Sequence, residues 1–399
     1  MAFPLTDEQR NIVNDRGGEL LVSAAAGSGK TRVLVERLME RVITEKLDID
    51  RFLVITYTKA AAAELRARIA MELAARLAER PNDRHLRRQS TLVYKAQIST
   101  IHSFCSMLLR ESGHQIDLDP DFRLCDESEA QVMMAQVLDQ VLDSKYGAVE
   151  ENTPFARLVD TLAAGRDDSR LAQIVLDIYA RIQSHPDPAQ WLESQKQVWM
   201  MEDVSDLSQT PWGSYLMAEV RQRTEACRAD LALALSLAES DELLQMNYGP
   251  SLSCSLDCVE RLLGAKSWDQ MASCLPVPFP AAGRKKKRSR EISPMEEARV
   301  VRNGERLKEL RSRCKKHMEQ LAVLIDGDSA AQLEEIRITQ PVVWALMDLV
   351  AEFQQTYAKE KRRRSVVDFS DLEHYAVKLL LDDKGCPTEL ARYWSDRFD

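Results

Sequence analysis

Residues 24–31, AAAGSGKT, set two glycines, a lysine and a threonine within a run of small side chains. A loop of this kind leaves backbone N–H groups open to an anion, and the positive end of a following helix adds to the attraction. That is the chemistry of polyphosphate binding. Lys30 can set its ammonium against β- and γ-phosphates, the Thr31 hydroxyl can ligate Mg²⁺, and Gly27 and Gly29 let the backbone approach without a side chain in the way. Ala24, Ala25, Ala26, Ser28 and Arg32 complete the candidate site for ATP. Ala24 stands where the common phosphate loop has its first glycine, and a small side chain at the loop entrance leaves the chemistry unchanged. The competing reading is a Gly-Ser turn that happens to precede a lysine.

The flanking elements favour the phosphate loop. ELLVSA ahead of it reads as a strand, and TRVLVERLMERVI after it as a helix, the context such a loop requires. Across residues 1–113, β-rich runs (ELLVSA, FLVITYT, AQISTI) alternate with helical patterns, which predicts parallel strands joined by crossover helices. Residues 114–363 change to long helical stretches, and residues 364–399 read as helices that stop without a strand. The expected fold is α/β, a phosphate-loop domain over 1–113 and 364–399 interrupted by a large, mainly helical insert. Prolines, a glycine and a basic run at 274–294 suggest an exposed loop.

Composition narrows the function. The 399 residues are 45% hydrophobic and 29% charged, with no apolar run long enough to span a membrane and no basic-then-apolar leader. A cytoplasmic protein is expected. The eight cysteines include no C-x-x-C pair; Cys254 and Cys258, one helical turn apart, read as packed thiols rather than metal ligands. A net charge of −9 argues against unselective coating of DNA but permits a narrow basic track.

Three further segments carry candidate chemistry. In LTDEQRNIV, the Gln9 amide can both donate to and accept from an adenine edge, although Thr6 or Asp7 with Gln9 also makes an ordinary helix cap. LVITYTKAAAAELRARI sets Tyr57 to stack on a base, with Thr56, Thr58 and Lys59 able to meet phosphates. STIHSFCSMLLRE adds Thr100 and His102; taken alone His102 reads as a packed histidine, and within this order of segments the two residues read as contacts to a DNA strand.

In this order the segments resemble the UvrD-like helicases of superfamily 1 and, within them, the A subunits of bacterial AddAB helicase-nucleases. VSAAAGSGKTRVLVERL and RRSVVDFSDLEHYAVKLL carry the likeness. The resemblance implies a RecA-like domain 1A with a 1B insert, and an ATP-dependent DNA helicase subunit, with Mg²⁺, that processes double-strand breaks. It also implies DNA as partner, both single strand and duplex end, together with a B subunit, with no membrane. The family more often has Phe at the Tyr57 position and Asn at the Lys59 position. In the family a strand bearing Asp-Glu and then Gln follows the segment matched by RYWSDRFD. The sequence ends at Asp399, so the expectation is the N-terminal portion of a larger motor, inactive alone.

Asp126 and Glu127 do not substitute for that acid pair, because they follow FRLC and open a helical pattern, as a helix cap does. Asp368 and Asp371 likewise read as a helix start. Arg284, Lys285, Lys286, Lys287, Arg288 and Arg290, with Lys308, Arg311, Arg313, Lys315 and Lys316 on the helix beyond, are either a solvated charge run or a contact for duplex DNA. Two other function classes remain: a nucleotide-gated DNA-binding module without hydrolysis, and a small-molecule kinase. The kinase leaves LVITYT and STIHSF without a purpose.

Overall fold

The computed structural model describes residues 4–148, 150–162, 169–201, 203–284 and 291–399. Its contacts divide into two compact units, one of residues 1–147, 179–188 and 352–399, the other of 148–178 and 189–351.

The first unit opens with α1 (Asp7–Asn14), whose first turn is closed by Thr6 and Gln9 in a reciprocal capping box. The phosphate-loop segment follows and runs into α2 (Lys30–Thr44). Val35, Leu38, Met39 and Val42 recur at helical spacing, so one face of α2 is apolar and buried. It packs in one core with Ile69 and Leu73 of α3 (Lys59–Glu79) and Leu86 of α4 (Arg84–Leu92). Against α3 run β1 (Leu53–Thr56) and β2 (Gln97–Thr100), paired in parallel with Leu53 opposite Gln97 and Thr56 opposite Thr100. The Arg66 guanidinium on α3 donates to the carbonyls of Val93, Tyr94 and Ile98 and so fixes the entry into β2.

From β2 the chain passes directly into α5 (Ile101–Ser112). A second parallel pair joins β3 (Arg123–Leu124) to β4 (Val366–Val367), so the stretch after residue 364 does hold a short strand, contrary to the helical reading. β4 is two residues long and its pairing partner lies far away in the chain, leaving no local pattern to reveal it. Asp126 caps α6 (Glu127–Gly147), its carboxylate accepting from the Glu129 N–H at 2.8 Å. That is the helix-cap role expected of it. A second core gathers Cys105, Leu108 and Leu109 of α5 with Leu372, Ala376 and Leu379 of the helix Phe369–Leu380. Burial lifts the Cys105 thiol to about 11.

One expected strand is missing. ELLVSA pairs with no strand among the described residues, and Leu21 is 94% exposed. An apolar extended segment becomes a strand only where a neighbour takes its backbone N–H and C=O groups, and no described segment does so.

Among its described residues the second unit holds helices and no strand. The helices Pro211–Glu239, Glu242–Gly264 and Pro294–Leu324 share a core that includes Val220, Leu231, Leu252, Val259, Leu307 and Leu310. The proline-rich segment expected to be an exposed loop is held down at 277–283. Ser255 and Ser251 donate to the carbonyls of Pro278 and Pro280, the Gly283 N–H donates to Asn247, and Val277 is buried. Pro250 sits inside Glu242–Gly264 and can donate no backbone hydrogen bond there.

Candidate functional site

The phosphate-loop segment is built on backbone freedom. Gly27 and Gly29 have φ of 78° and 87°, conformations that cost an L side chain strain, and Gly29 is the N-cap residue of α2. Lys30 is exposed and curls back over the loop, its ammonium donating to the Ala24 carbonyl at 2.7 Å and the Ala25 carbonyl at 2.8 Å. Gln9 makes the helix cap expected of it and also ties α1 to the loop. Its Oε1 accepts from the Thr6 N–H in the capping box, and its Nε2 donates to the Ser28 carbonyl at 3.1 Å. A cleft of about 640 Å³ opens between α1, α2 and residues 18–24, lined by Gln9, Ile12, Leu20, Val22, Lys30 and Val33. Ala24, Ala25, Ala26, Ser28 and Thr31 are exposed along the loop, and Arg32 is half-buried beside it. The walls are chiefly apolar, with the lysine and the amide as polar points.

The second group of residues gathers at one sheet edge. Because β1 and β2 are parallel and Thr56 lies opposite Thr100, the turns that follow them emerge side by side, strand spacing being about 4.8 Å. Tyr57 projects fully into solvent at 105% exposure, and Thr58 and Lys59 are exposed beside it. Thr58 caps α3, its hydroxyl oxygen accepting from the Ala61 N–H at 3.0 Å, while the Thr56 hydroxyl donates to the Thr58 carbonyl. Thr100 is buried and caps α5 through the Ser103 N–H, with the Ser103 hydroxyl 2.8 Å away. Its side chain therefore serves the turn. His102 is half-exposed, with Nε2 at 3.2 Å from Glu373 Oε1 and its ring edge-on to Phe369. Neither Phe369 nor Glu373 was singled out by the sequence, since nothing local to DFSDLE points toward His102.

Asp368 and Asp371 form the capping box of Phe369–Leu380, the helix start expected of them, and both also accept from the Lys361 ammonium. Among the described residues no cluster of His, Cys, Asp or Glu could hold a metal ion, and no helix is long and apolar enough to cross a membrane. Cys258 is buried and takes a contact from Arg261, as a packed thiol does.

The basic helix reads differently in place. The Arg311 guanidinium donates to the carbonyls of Phe279 and Pro280, Arg313 forms a forked pair with Asp230, and Lys315 faces Glu319 at 3.7 Å. Arg311 and Arg313 tie separate elements of the second unit together, Lys315 pairs only within its own helix, and Lys308 and Lys316 are exposed. Arg284 is exposed; Lys285, Lys286, Lys287, Arg288 and Arg290 lie outside the described residues.

A small-residue loop at a helix start, with polar and aromatic residues at the ends of parallel strands, defines a class. The chain belongs to the UvrD/REP helicase N-terminal domain family, which it matches over residues 5–399. A RecA-like fold follows from that membership. Among proteins similar to it is the A subunit of the ATP-dependent helicase/nuclease from Acetivibrio thermocellus, 34% identical over 409 residues, covering 98% of this chain and 32% of that protein. Proteins of the same name from Geobacillus thermodenitrificans and Pelotomaculum thermopropionicum are 35% and 36% identical, covering 94% and 98% of this chain and 30% and 31% of theirs. The chain thus spans about a third of the length of the curated relatives it matches.

Proposed function

We propose that the chain supplies the nucleotide site and part of the DNA track of an ATP-dependent DNA helicase. Together with a B-subunit partner, that helicase forms a cytoplasmic helicase-nuclease that processes double-strand breaks. Residues 1–113 and 364–399 are assigned to domain 1A and residues 114–363 to a 1B insert, on chain order and family likeness. The observation that carries the reading is the loop itself: two glycines at positive φ, Lys30 folded over two loop carbonyls, and a cleft alongside it.

In this reading the apolar cleft wall takes a purine ring and the Gln9 amide reads its edge. Lys30 exchanges the carbonyls of Ala24 and Ala25 for the β- and γ-phosphates, replacing neutral acceptors with anionic ones for the same charged donor. The loop N–H groups from Ala25 to Gly29 and the N-terminus of α2 receive the phosphates, with Ala26 and Arg32 flanking them. The residues fit a magnesium–triphosphate: the loop has no side chain at Gly27 or Gly29, and Thr31 offers an exposed hydroxyl in the first turn of α2. Thr31 would be the ligand from this chain for Mg²⁺, which when bound would offset phosphate charge. At the sheet edge, Tyr57 stacks on a base and Lys59 and His102 face the strand. Thr56, Thr58 and Thr100 hold the turns that present them.

The test is titration of the chain with a fluorescent ATP analogue and Mg²⁺. Lys30→Ala is expected to weaken binding about ten-fold or more, the loss of one charge-assisted contact, without lowering stability, since the side chain is exposed. Equal affinity for the two proteins would overturn the nucleotide assignment.

A further inference from the structure

The contact between His102 and the helix Phe369–Leu380 is not needed to pack that helix. Its seat on α5 is already made by the buried Cys105, Leu108, Leu109, Leu372, Ala376 and Leu379. Outside that core the half-exposed His102 meets two exposed side chains. Phe369 is 45% exposed, its ring centroid 5.0 Å from that of His102 at an interplanar angle of 75°, and the exposed Glu373 carboxylate lies 3.2 Å from His102 Nε2. An exposed polar contact of this kind contributes little to stability, and a large exposed aromatic ring contributes less than a buried one.

We propose that Phe369 and Glu373 are functional parts of the strand-binding edge. Phe369 offers a second stacking face for a base of single-stranded DNA, beyond Tyr57. Glu373 is a positioning residue: by accepting from Nε2–H it orients the His102 ring and leaves Nδ1 as the nitrogen presented to the strand. The inference rests on the reading of the β1 and β2 ends as a DNA-binding edge. It gives the carboxylate a role opposite to its charge. A carboxylate beside a polyanion repels it, so simple electrostatics has removal of Glu373 tighten binding, whereas a lost orienting contact weakens it.

The experiment is fluorescence anisotropy of a labelled oligo-dT strand at several salt concentrations, with thermal midpoints recorded for every variant. Phe369→Ala is expected to lower affinity about five-fold or more with an unchanged salt slope, because stacking releases no counterions. Glu373→Ala is expected to lower affinity about three-fold, as for one lost hydrogen bond, and Glu373→Gln, which keeps the acceptor oxygen, to bind at least as well as the parent. Tyr57→Ala serves as the reference. If Tyr57→Ala weakens binding while Phe369→Ala and Glu373→Ala do not, the edge stands and the inference falls. If none of the three changes affinity, both fall. Tighter binding by Glu373→Ala, or a glutamine variant as weak as the alanine one, sinks the positioning role.

Discussion

The Lys361 ammonium, on a side chain only 5% exposed, donates a 2.7 Å hydrogen bond to Asp368, the residue that caps the helix Phe369–Leu380. A second bond of 2.7 Å reaches Asp371, which closes the capping box from the other side, and the ammonium also lies 4.3 Å from the Tyr357 ring centroid. A buried ammonium and two largely buried carboxylates thus meet at the root of the helix that carries Phe369 and Glu373. Burial by itself disfavours the charged lysine, but the two carboxylates reverse this and raise its pKa. Burial likewise lifts Asp368, and Lys361 more than offsets it, so that its pKa is lowered. For Asp371 burial prevails and the pKa is raised.

Removing the cation alone leaves two carboxylates buried without their counter-charge. Lys361→Met is expected to cost about 3–5 kcal/mol in urea unfolding at neutral pH, the range for breaking one side of a buried pair. The pH dependence follows from the signs. The raised pKa of Lys361 gives stability that is complete below its ordinary value of 10.5 and is lost as pH rises through the folded-state pKa. The lowered pKa of Asp368 gives stability present above 3.8 and lost as pH falls through the folded-state value, while Asp371, raised, opposes that loss by taking up a proton first. Stability profiles of the parent and Asp371→Asn should therefore diverge on the acid side, with the parent gaining relative to the variant as pH falls through the Asp371 pKa.

Gly29 tests the loop geometry separately from its charge. At φ 87° a β-carbon is strained, and one placed there would lie 3.5 Å from Gln9 Nε2, an ordinary contact. Gly29→Ala is accordingly expected to cost about 1–2 kcal/mol from backbone conformation alone. It should also weaken binding of the fluorescent ATP analogue, since the loop can relieve the strain only by shifting. An unchanged unfolding midpoint would show that the loop does not hold this conformation in solution.

The parts of this site that could be read from sequence are those fixed by near neighbours in the chain. Glycines before Lys-Thr, Thr6 and Gln9 as a capping box, Asp126 as a cap, and the buried stripe of α2 each need only a few consecutive residues to be recognised. Strand pairing is a longer-range matter. ELLVSA has the composition of a strand but no described partner, whereas Val366–Val367 is too short to announce itself and is made a strand by Arg123–Leu124. The same limit hid Glu373 and Phe369, brought to His102 only by the packing of Leu372 and Ala376 on α5. Arg311 looked like surface charge because the carbonyls it serves belong to a segment that turns back from elsewhere in the chain.

The two strand-to-helix turns depend on hydroxyl caps, and the cost of losing one is measurable. Thr100→Ala removes the acceptor for the Ser103 N–H at a buried position and is expected to cost about 1–2 kcal/mol, while Thr100→Ser, which keeps the oxygen, costs less. Chemical denaturation reports this as a shifted midpoint with unchanged slope. A serine variant no more stable than the alanine variant would show that the methyl group, not the cap, holds the turn.

Arg311 separates a structural arginine from a DNA contact on the same helix. Its guanidinium donates to the Phe279 carbonyl at 3.0 Å and to Pro280, sits 5.8 Å from the Phe279 ring centroid, and shares the Pro280 carbonyl with Ser251. Arg311→Ala leaves these partners without the charged donor and frees the segment at 277–283 from one of its ties, so a loss of about 1.5–3 kcal/mol in stability is expected. Lys308→Ala and Lys316→Ala, at exposed positions of the same helix, should stay within about 0.5 kcal/mol of the parent. For binding to a duplex oligonucleotide the order reverses: under the DNA-contact reading the two lysine variants flatten the salt dependence, each by roughly one released counterion, while Arg311→Ala leaves the slope unchanged. A flattened slope in the arginine variant with full stability would return Arg311 to the DNA-facing surface. Unchanged slopes in all three would leave this helix a solvated face with one buried anchor.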